Sequence, residues 1–437
     1  MSKASHILSP DTQAALLLCG SFTERSDTEA QPLTTARYNR LADWLGEQDL
    51  RPGDLLREEG LGRLRRSSDR PEEADAALLL LARGVAMALA LENWTNQGLW
   101  ILSRNDPDYP PPLTDRLKRH APPILYGAGH KNLLAGGGLA VIGSRAAGRE
   151  ALDFARHLGR RCAQEGIQVI SGGAKGVDQE AMLAALALEG AVVGILSDNL
   201  GKASVSGKYR QAIREGRLAL ISACAPEARF QVGNAMARNK LIYALSDWAL
   251  VVSAETDQGG TWAGAQENLK HGWTPLLVRA GAAIAPGNRR LIQAGGRPLN
   301  EAEALAPGAG LKDLLQRASL QEAQESPEGA APGPLTRPKK KTPPPEQSLP
   351  GGSVEAGAPQ NTADDFWEQR VWPAIAARLR ARGQLTVGQV AADLGVEKSQ
   401  SKAWLRRAAG EQKLVKLNRP ERYVSADPAQ GSLFDKP

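Results

Sequence analysis

The sequence predicts an α/β protein built on a doubly wound parallel sheet, with a helical segment before it and a small helix-and-hairpin unit after it. Two observations carry the sheet. From Leu139 to Val278, short apolar runs alternate with helix-length amphipathic segments, as expected of strands covered on both faces. One unit is also written twice. Leu139-Ala140-Val141-Ile142 breaks into Gly143-Ser144-Arg145-Ala146-Ala147-Gly148, and Ile167 to Ile170 breaks into Ser171-Gly172-Gly173-Ala174-Lys175-Gly176. A helix follows each time, the first with Leu152, Phe154, Ala155, Leu158 and Cys162 on one face, the second opened by Val177-Asp178. A third observation, the alternation of helix-period stripes with proline and glycine punctuation from Ser9 to Asn93, makes the front of the chain helical.

Within that front segment Tyr38, Leu41, Trp44 and Leu45 share a helical face, and Asp54-Leu55-Leu56 with Leu61-Gly62 forms a short helix and turn. Ala76 to Leu91 is strongly apolar but short for a membrane span and interrupted by Arg83, so it is expected to be a buried helix. No basic, apolar leader pattern opens the chain. Consecutive prolines in Asp106-Pro107-Asp108-Tyr109-Pro110-Pro111-Pro112-Leu113 and Ala121-Pro122-Pro123-Ile124 predict an extended crossing into the sheet, whose parallel part starts at Leu139. Later strands are expected at Ala191 to Leu196, Leu218 to Ser222, Trp248 to Ala254 and Pro275 to Val278.

The formal charge of +6 and pI near 9.2 favour an anionic partner. Cys19, Cys162 and Cys224 are odd in number and scattered, so no disulfide framework is expected and a reducing cytoplasm is the default. The five histidines show no metal spacing, so no metal and no cofactor is expected.

Glycines at the carboxyl end of a parallel strand let the backbone approach an anion, and the following helix presents unpaired N–H groups and a positive dipole end. Gly143, Ser144 and Arg145 form one such seat, and Ser171, Gly172, Gly173, Lys175 and Gly176 a second. Two seats, each with a cation, suit successive phosphates. Arg238-Asn239-Lys240 ahead of the apolar Leu241 to Leu245, and Gly259-Gly260-Thr261 after the strand ending at Ala254, add two more loops. Cations at a helix start oppose its dipole and so argue for an anion there. Four loops, after residues 142, 170, 229 and 254, are expected to converge on the carboxyl edge of the sheet.

From Gly308 to Thr362, Pro, Gly, Ala, Ser and Gln dominate around the basic run Arg337 to Lys341, which predicts a disordered linker. Beyond it, one helix carries Phe366, Trp367, Val371, Trp372, Ile375 and Leu379, others span Leu385 to Leu394 and Glu397 to Ala409, and Leu414 to Leu417 pairs with Arg422 to Val424. That is a winged-helix plan. With twelve Lys and Arg against seven Asp and Glu from Asp364 to Val424, it suits nucleic acid or protein docking. The expected domains are therefore 1–98, 99–307, a linker 308–362, 363–425 and a tail 426–437.

The chain resembles the DprA, or Smf, family of DNA-processing proteins of natural transformation. The likeness rests on Tyr109 to Leu113, Pro122 to Gly127, Val141 to Arg145, Ser171 to Asp178, Phe230, Arg238 to Lys240, Gly259 to Thr261 and Gly287 to Gly295, in family order. It implies an extended Rossmann-like domain, a helical front of the sterile-alpha-motif or helix-hairpin-helix kind, single-stranded DNA binding without catalysis, a homodimer, and loading of a RecA-type recombinase. It places phosphate contact on Ser144, Arg145, Gly172, Gly173, Lys175, Arg238, Asn239 and Lys240. Lys175 stands where the family usually has Arg, Met182 where it has His, Ser197-Asp198 replaces a glycine-rich turn, and Ala223 stands where an acidic residue usually follows the serine. A divergent paralogue in repair or phage defence would carry the same pattern.

Two readings from other classes compete. One is a sensor for a nucleotide signal, and the other a nucleotide hydrolase of the same fold, whose glutamate would fall at Gly264 whereas this chain has Glu267. In the tail, Gln430 followed by Leu433 and Phe434 is similar to the peptide that docks on the bacterial sliding clamp, with Gly431 in place of a leucine.

Overall fold

One sheet of nine strands runs through the larger part of the chain, in the order β1-β2-β6-β5-β4-β3-β7-β8-β9. The strands are β1 Leu99–Ser103, β2 Ile124–Gly129, β3 Leu139–Gly143, β4 Val169–Ser171, β5 Val192–Ile195, β6 Leu218–Ser222, β7 Trp248–Ser253, β8 Leu276–Ala280 and β9 Arg297–Asn300. The seven from β6 to β9 in this order are parallel, while β1 and β2 run antiparallel at one side. The computed structural model describes residues 8–22, 31–67, 69, 71–281, 284–306, 308, 310–320, 372–382, 384–394, 398–411, 413–418 and 421–425. These fall in two compact units, 1–331 and 332–437.

The apolar runs form the parallel strands because residues alternate between two covered faces. Leu139 and Val141 join the core of Phe154, Leu158 and Met182 from α7 (Arg149–Gln164) and α8 (Val177–Ala187). Ala140 and Ile142 face the other way, onto Leu241, Ile242 and Tyr243 of α11 (Val232–Leu245). Going outward from β3, β4, β5 and β6 lie on one side and β7, β8 and β9 on the other. Chain order therefore reverses between β3 and β7, where α/β sheets open a ligand crevice.

The parallel strands start at Leu139 as expected, but the sheet also takes in β1 and β2 ahead of them, paired antiparallel, and β9 after the last expected strand. The proline-rich stretch between β1 and β2 is also not extended throughout. Pro111–Leu117 is a helix, α6, entered through Pro110, with prolines in its first two positions. Those positions have no intrahelical use for an N–H, so proline starts the helix there rather than breaking it. Leu113 is fully buried and Tyr109 Oη donates to Pro122 O at 2.8 Å.

The front helices α1 (Pro10–Cys19), α2 (Thr35–Glu47), α3 (Glu58–Arg66), α4 (Ala74–Leu81) and α5 (Gly84–Asn96) share one core with the sheet. Trp94 meets the Tyr126 ring of β2 edge-on at 5.3 Å and donates Nε1–H to Glu227 Oε1 at 2.7 Å. Tyr38, Leu41, Trp44 and Leu45 are buried as their spacing requires. The apolar stretch Ala76 to Leu91 is instead two helices bent by 60°, and Leu79, Val85 and Leu89 stay exposed. Arg83 makes the break. Its guanidinium leaves the helix line to donate to the carbonyls of Leu17 and Gly20 at the end of α1, and lies 4.8 Å from the Phe22 ring. No single helix among the described residues is long and apolar enough to cross a membrane.

A further helix, α15 (Leu311–Leu320), lies within the stretch expected to be linker from 308, and buries Leu311, Leu314, Leu315 and Ala318. In the second unit the described elements are helices Trp372–Arg382, Val387–Leu394 and Lys398–Gly410 and strands Gln384–Leu385, Leu414–Asn418 and Glu421–Ser425. Glu421–Ser425 is the middle strand of an antiparallel sheet, and Val415 pairs with Val424 as the hairpin pattern requires. Phe366 and Trp367, the linker beyond Leu320 and the tail with Gln430, Leu433 and Phe434 lie outside the described residues.

Candidate nucleic-acid interface

A cavity of about 430 Å³ opens at the reversal point, between the loops that follow β3 and β7. All four expected loops reach it: Gly143, Ser144 and Arg145; Ala174; Phe230 and Val232; and Glu255 with Gly259, Gly260 and Thr261. Arg238 and Asn239 form part of its wall.

The two glycine loops are held to each other by a residue outside the expected set. Asp178 lies in the first turn of α8, fully inside, and its Oδ1 accepts from Gly143 N at 3.3 Å while Oδ2 accepts from Gly172 N at 3.2 Å. Arg238 Nη1 stands 3.7 Å from Asp178 Oδ2. Burial pushes the Asp178 carboxyl above the usual carboxylate range, opposed by Arg238 and by the N–H groups of Gly143, Gly172 and Ala174. Burial likewise pulls the Arg238 guanidinium below the usual arginine range, opposed mainly by Asp178. Arginine nevertheless stays charged, and its charge favours the ionised form of Asp178. The N–H groups of Gly143 and Gly172 are thus occupied by a carboxylate of the fold.

The glycines serve close approach. A Cβ on Gly172 would sit 1.4 Å from Arg238 Nη1, and one on Gly176, at φ +101°, would meet Ser144 O at 2.9 Å. Ser171 Oγ donates to Val141 O at 2.6 Å, tying β4 to β3. Ser144 N donates to Ser253 O at 2.8 Å and its hydroxyl to Glu255 Oε1 at 3.3 Å, which joins the loop to β7. Asn239 Nδ2 donates to Gly260 O at 3.0 Å, fastening α11 to the start of α12 (Gly259–His271).

Arg238, Asn239 and Lys240 are not at a helix start. α11 begins at Val232, so they occupy its middle, and the dipole argument for an anion there does not apply. Arg238 is 8% exposed. Lys240 Nζ pairs with Glu267 Oε1 at 3.0 Å and lines a separate cavity of about 220 Å³. Lys175 is exposed and lines neither that cavity nor the first. Arg145 is the expected cation that stands out at the mouth, and its guanidinium lies 4.9 Å from the ring centroid of Phe230. Phe230 and Val232 are large apolar side chains left 47% and 70% exposed. Asp178 and Phe230 are the residues that loop-by-loop reasoning missed as site residues. The signal for Asp178 was a carboxylate one residue inside a helix that follows glycines; for Phe230 it was an aromatic with no apolar periodicity around it.

Residues 100–308 match the family model for DNA recombination-mediator protein A. Over this segment the chain is similar to that family. The matched segment takes in β1 and β2 and ends beyond β9, so it covers the whole nine-stranded sheet except the first residue of β1. Among curated relatives, a putative DNA processing protein DprA of Mycobacterium tuberculosis (strain H37Rv) is 31% identical over 173 residues, 38% of this chain and 42% of that protein. The DNA processing protein DprA of Bacillus subtilis (strain 168) is 25% identical over 195 residues, 42% of this chain and 62% of that protein. The chain thus spans less than two thirds of the length of either. The X-ray structure of DprA from Streptococcus pneumoniae superposes with a TM-score of 0.52 at 20% identity, covering 69% of this chain and 98% of that one, a shared fold. Within that fold Gly287 and Asn288, part of the recognised pattern, are structural. Asn288 is fully buried, accepts from Ala254 N at 2.9 Å, and donates to Val252 O and Arg279 O at 3.1 and 3.0 Å, clamping β7 to β8.

Proposed function

We propose that the chain is a single-stranded DNA-binding protein of the DNA-processing type, working in recombination and handing its strand to a RecA-type recombinase. The observation that carries the reading is the Arg145–Phe230 pair at the mouth of the reversal-point cavity. A cation beside an exposed aromatic ring offers a phosphate contact and a stacking face together, and an unpaired strand, unlike a duplex, presents bases free to stack. Ser144, Gly173, Asn239, Gly259, Gly260 and Thr261 are the neighbouring contacts in this reading, with Arg238 beneath them. Lys175 and Lys240 are peripheral.

The reading is of a binding protein rather than a hydrolase. At Gly264, where the hydrolase glutamate would fall, an added Cβ would meet Asn239 Nδ2 at 3.0 Å, and Glu267 is committed to Lys240. The helix-and-hairpin unit is an accessory winged-helix module, a second copy of the chain is the partner in a homodimer, and the cytoplasm is the compartment. The test is fluorescence anisotropy of the full chain with labelled oligo(dT), a duplex of the same length and mononucleotides across a salt series. Single strands should bind with a negative slope of log affinity against log salt. Duplex bound as tightly as single strand at every salt would sink the reading.

A further inference from the structure

A second cavity, of about 300 Å³, lies beside the first and shares Arg145, Ala174 and Arg238 with it. The rest of its lining comes from the loop after β5 and from α9 (Leu200–Ser204) and α10 (Gly207–Arg214), with Asn199, Lys202, Ser206 and Lys208 facing the space. Lys202 and Lys208 are exposed and make no ion pair within the described residues. Partial burial pulls the Lys208 ammonium below the usual lysine range, opposed by the Glu180 carboxylate, and Nζ lies 4.9 Å from the centroid of the Tyr209 ring. Asp198 also lines the cavity, but its Oδ1 accepts from Ser197 Oγ at 2.9 Å and its Oδ2 from Asn199 Nδ2 at 2.7 Å. The eight residues of α10 begin here without a side-chain cap, since Ser206 Oγ donates to Ala203 O at 2.8 Å. Independently, Arg238 Nε is buried with no hydrogen-bond partner, in a side chain 8% exposed that lines this cavity as well as those of about 430 and 220 Å³. A buried donor without an acceptor costs about 1–3 kcal/mol, and an anion in the cavity would remove that cost.

We propose that this cavity is a second phosphate seat, with Lys202, Lys208 and Arg238 Nε as donors, so that a strand crossing Arg238 sets successive nucleotide phosphates in the two cavities. The seat rests on the single-strand reading for the source of its phosphate. Nη1 of Arg238 holds Asp178 and keeps the loops closed, and Nε is left without an acceptor inside the fold; one guanidinium can serve two partners because its donors form a rigid fork. A phosphate on the strand and one on a free mononucleotide share this chemistry.

The test compares wild type with Lys202→Gln/Lys208→Gln in the full chain, using oligo(dT) of increasing length with and without a 5′-phosphate, and dTMP alone. Lys312→Gln, on α15 and outside both cavities, controls for net charge. Oligonucleotides long enough to span both cavities should bind the double variant about threefold to tenfold more weakly at low salt, with a slope reduced by about 0.7 for each phosphate that is no longer neutralised. The shortest ones should be unaffected. A loss confined to 5′-phosphorylated strands supports the seat with a chain end as its occupant, and a loss confined to dTMP supports it with a free nucleotide. Wild-type binding of strand and of dTMP that the double variant retains in full, or that Lys312→Gln weakens equally, overturns the seat and leaves the single-strand reading standing. Failure of wild type to bind strand or dTMP overturns both.

Discussion

Two arginines face the same cavity and do different work. Arg238 is buried against Asp178 in the middle of α11, while Arg145 stands in solvent beside Phe230. The first closes two loops over each other; the second is available to a ligand. Side-chain chemistry is identical, so burial and the neighbouring carboxylate decide which arginine has most of its guanidinium committed to the fold and which is open binding surface. The comparison also explains why the glycine loops are not open anion cradles, since Asp178 already accepts from Gly143 and Gly172.

The sharpest way to break the comparison is Asp178→Ala. Removing one partner of a buried ion pair leaves the other uncompensated, and about 3–5 kcal/mol should be lost in urea denaturation of the chain. A loss under ~1 kcal/mol would mean that Arg238 is solvated and not part of the architecture. Gly172→Ala comes next. Its methyl would displace the Arg238 guanidinium, at a stability cost of about 1–3 kcal/mol, and strand affinity should fall with it; an Ala variant matching wild type in both would show that the close approach is not needed.

Phe230→Ala tests the exposed side. It should leave stability near wild type but weaken single-strand binding by about 1–3 kcal/mol if a base stacks there, with the salt slope unchanged. A changed slope with unchanged affinity at low salt would reverse the assignment. The smallest expected effect is Arg145→Gln, which should shift stability by no more than about 0.5 kcal/mol and reduce the salt slope by about 0.7, for every sequence alike. If Arg145→Gln instead unfolds the chain, the two arginines have been told apart wrongly.

The amino-acid sequence alone determined the parallel strands, the two glycine loops and the helices behind them, because strand and helix periods are local and an apolar run between helices has few other solutions. It also marked Arg145 and Arg238. The proline-led α6, the flanking strands β1, β2 and β9, and the bend at Arg83 were not legible, since each depends on a partner distant in the chain: a helix start that needs no N–H, a sheet edge to join, the carbonyls at the end of α1. Only the tertiary structure decided the division of labour at the site. Asp178 and Arg238 are sixty residues apart in sequence, and whether a charged group is spent inside the fold or offered to a ligand is settled by what surrounds it in space, where water is excluded from one arginine and reaches the other.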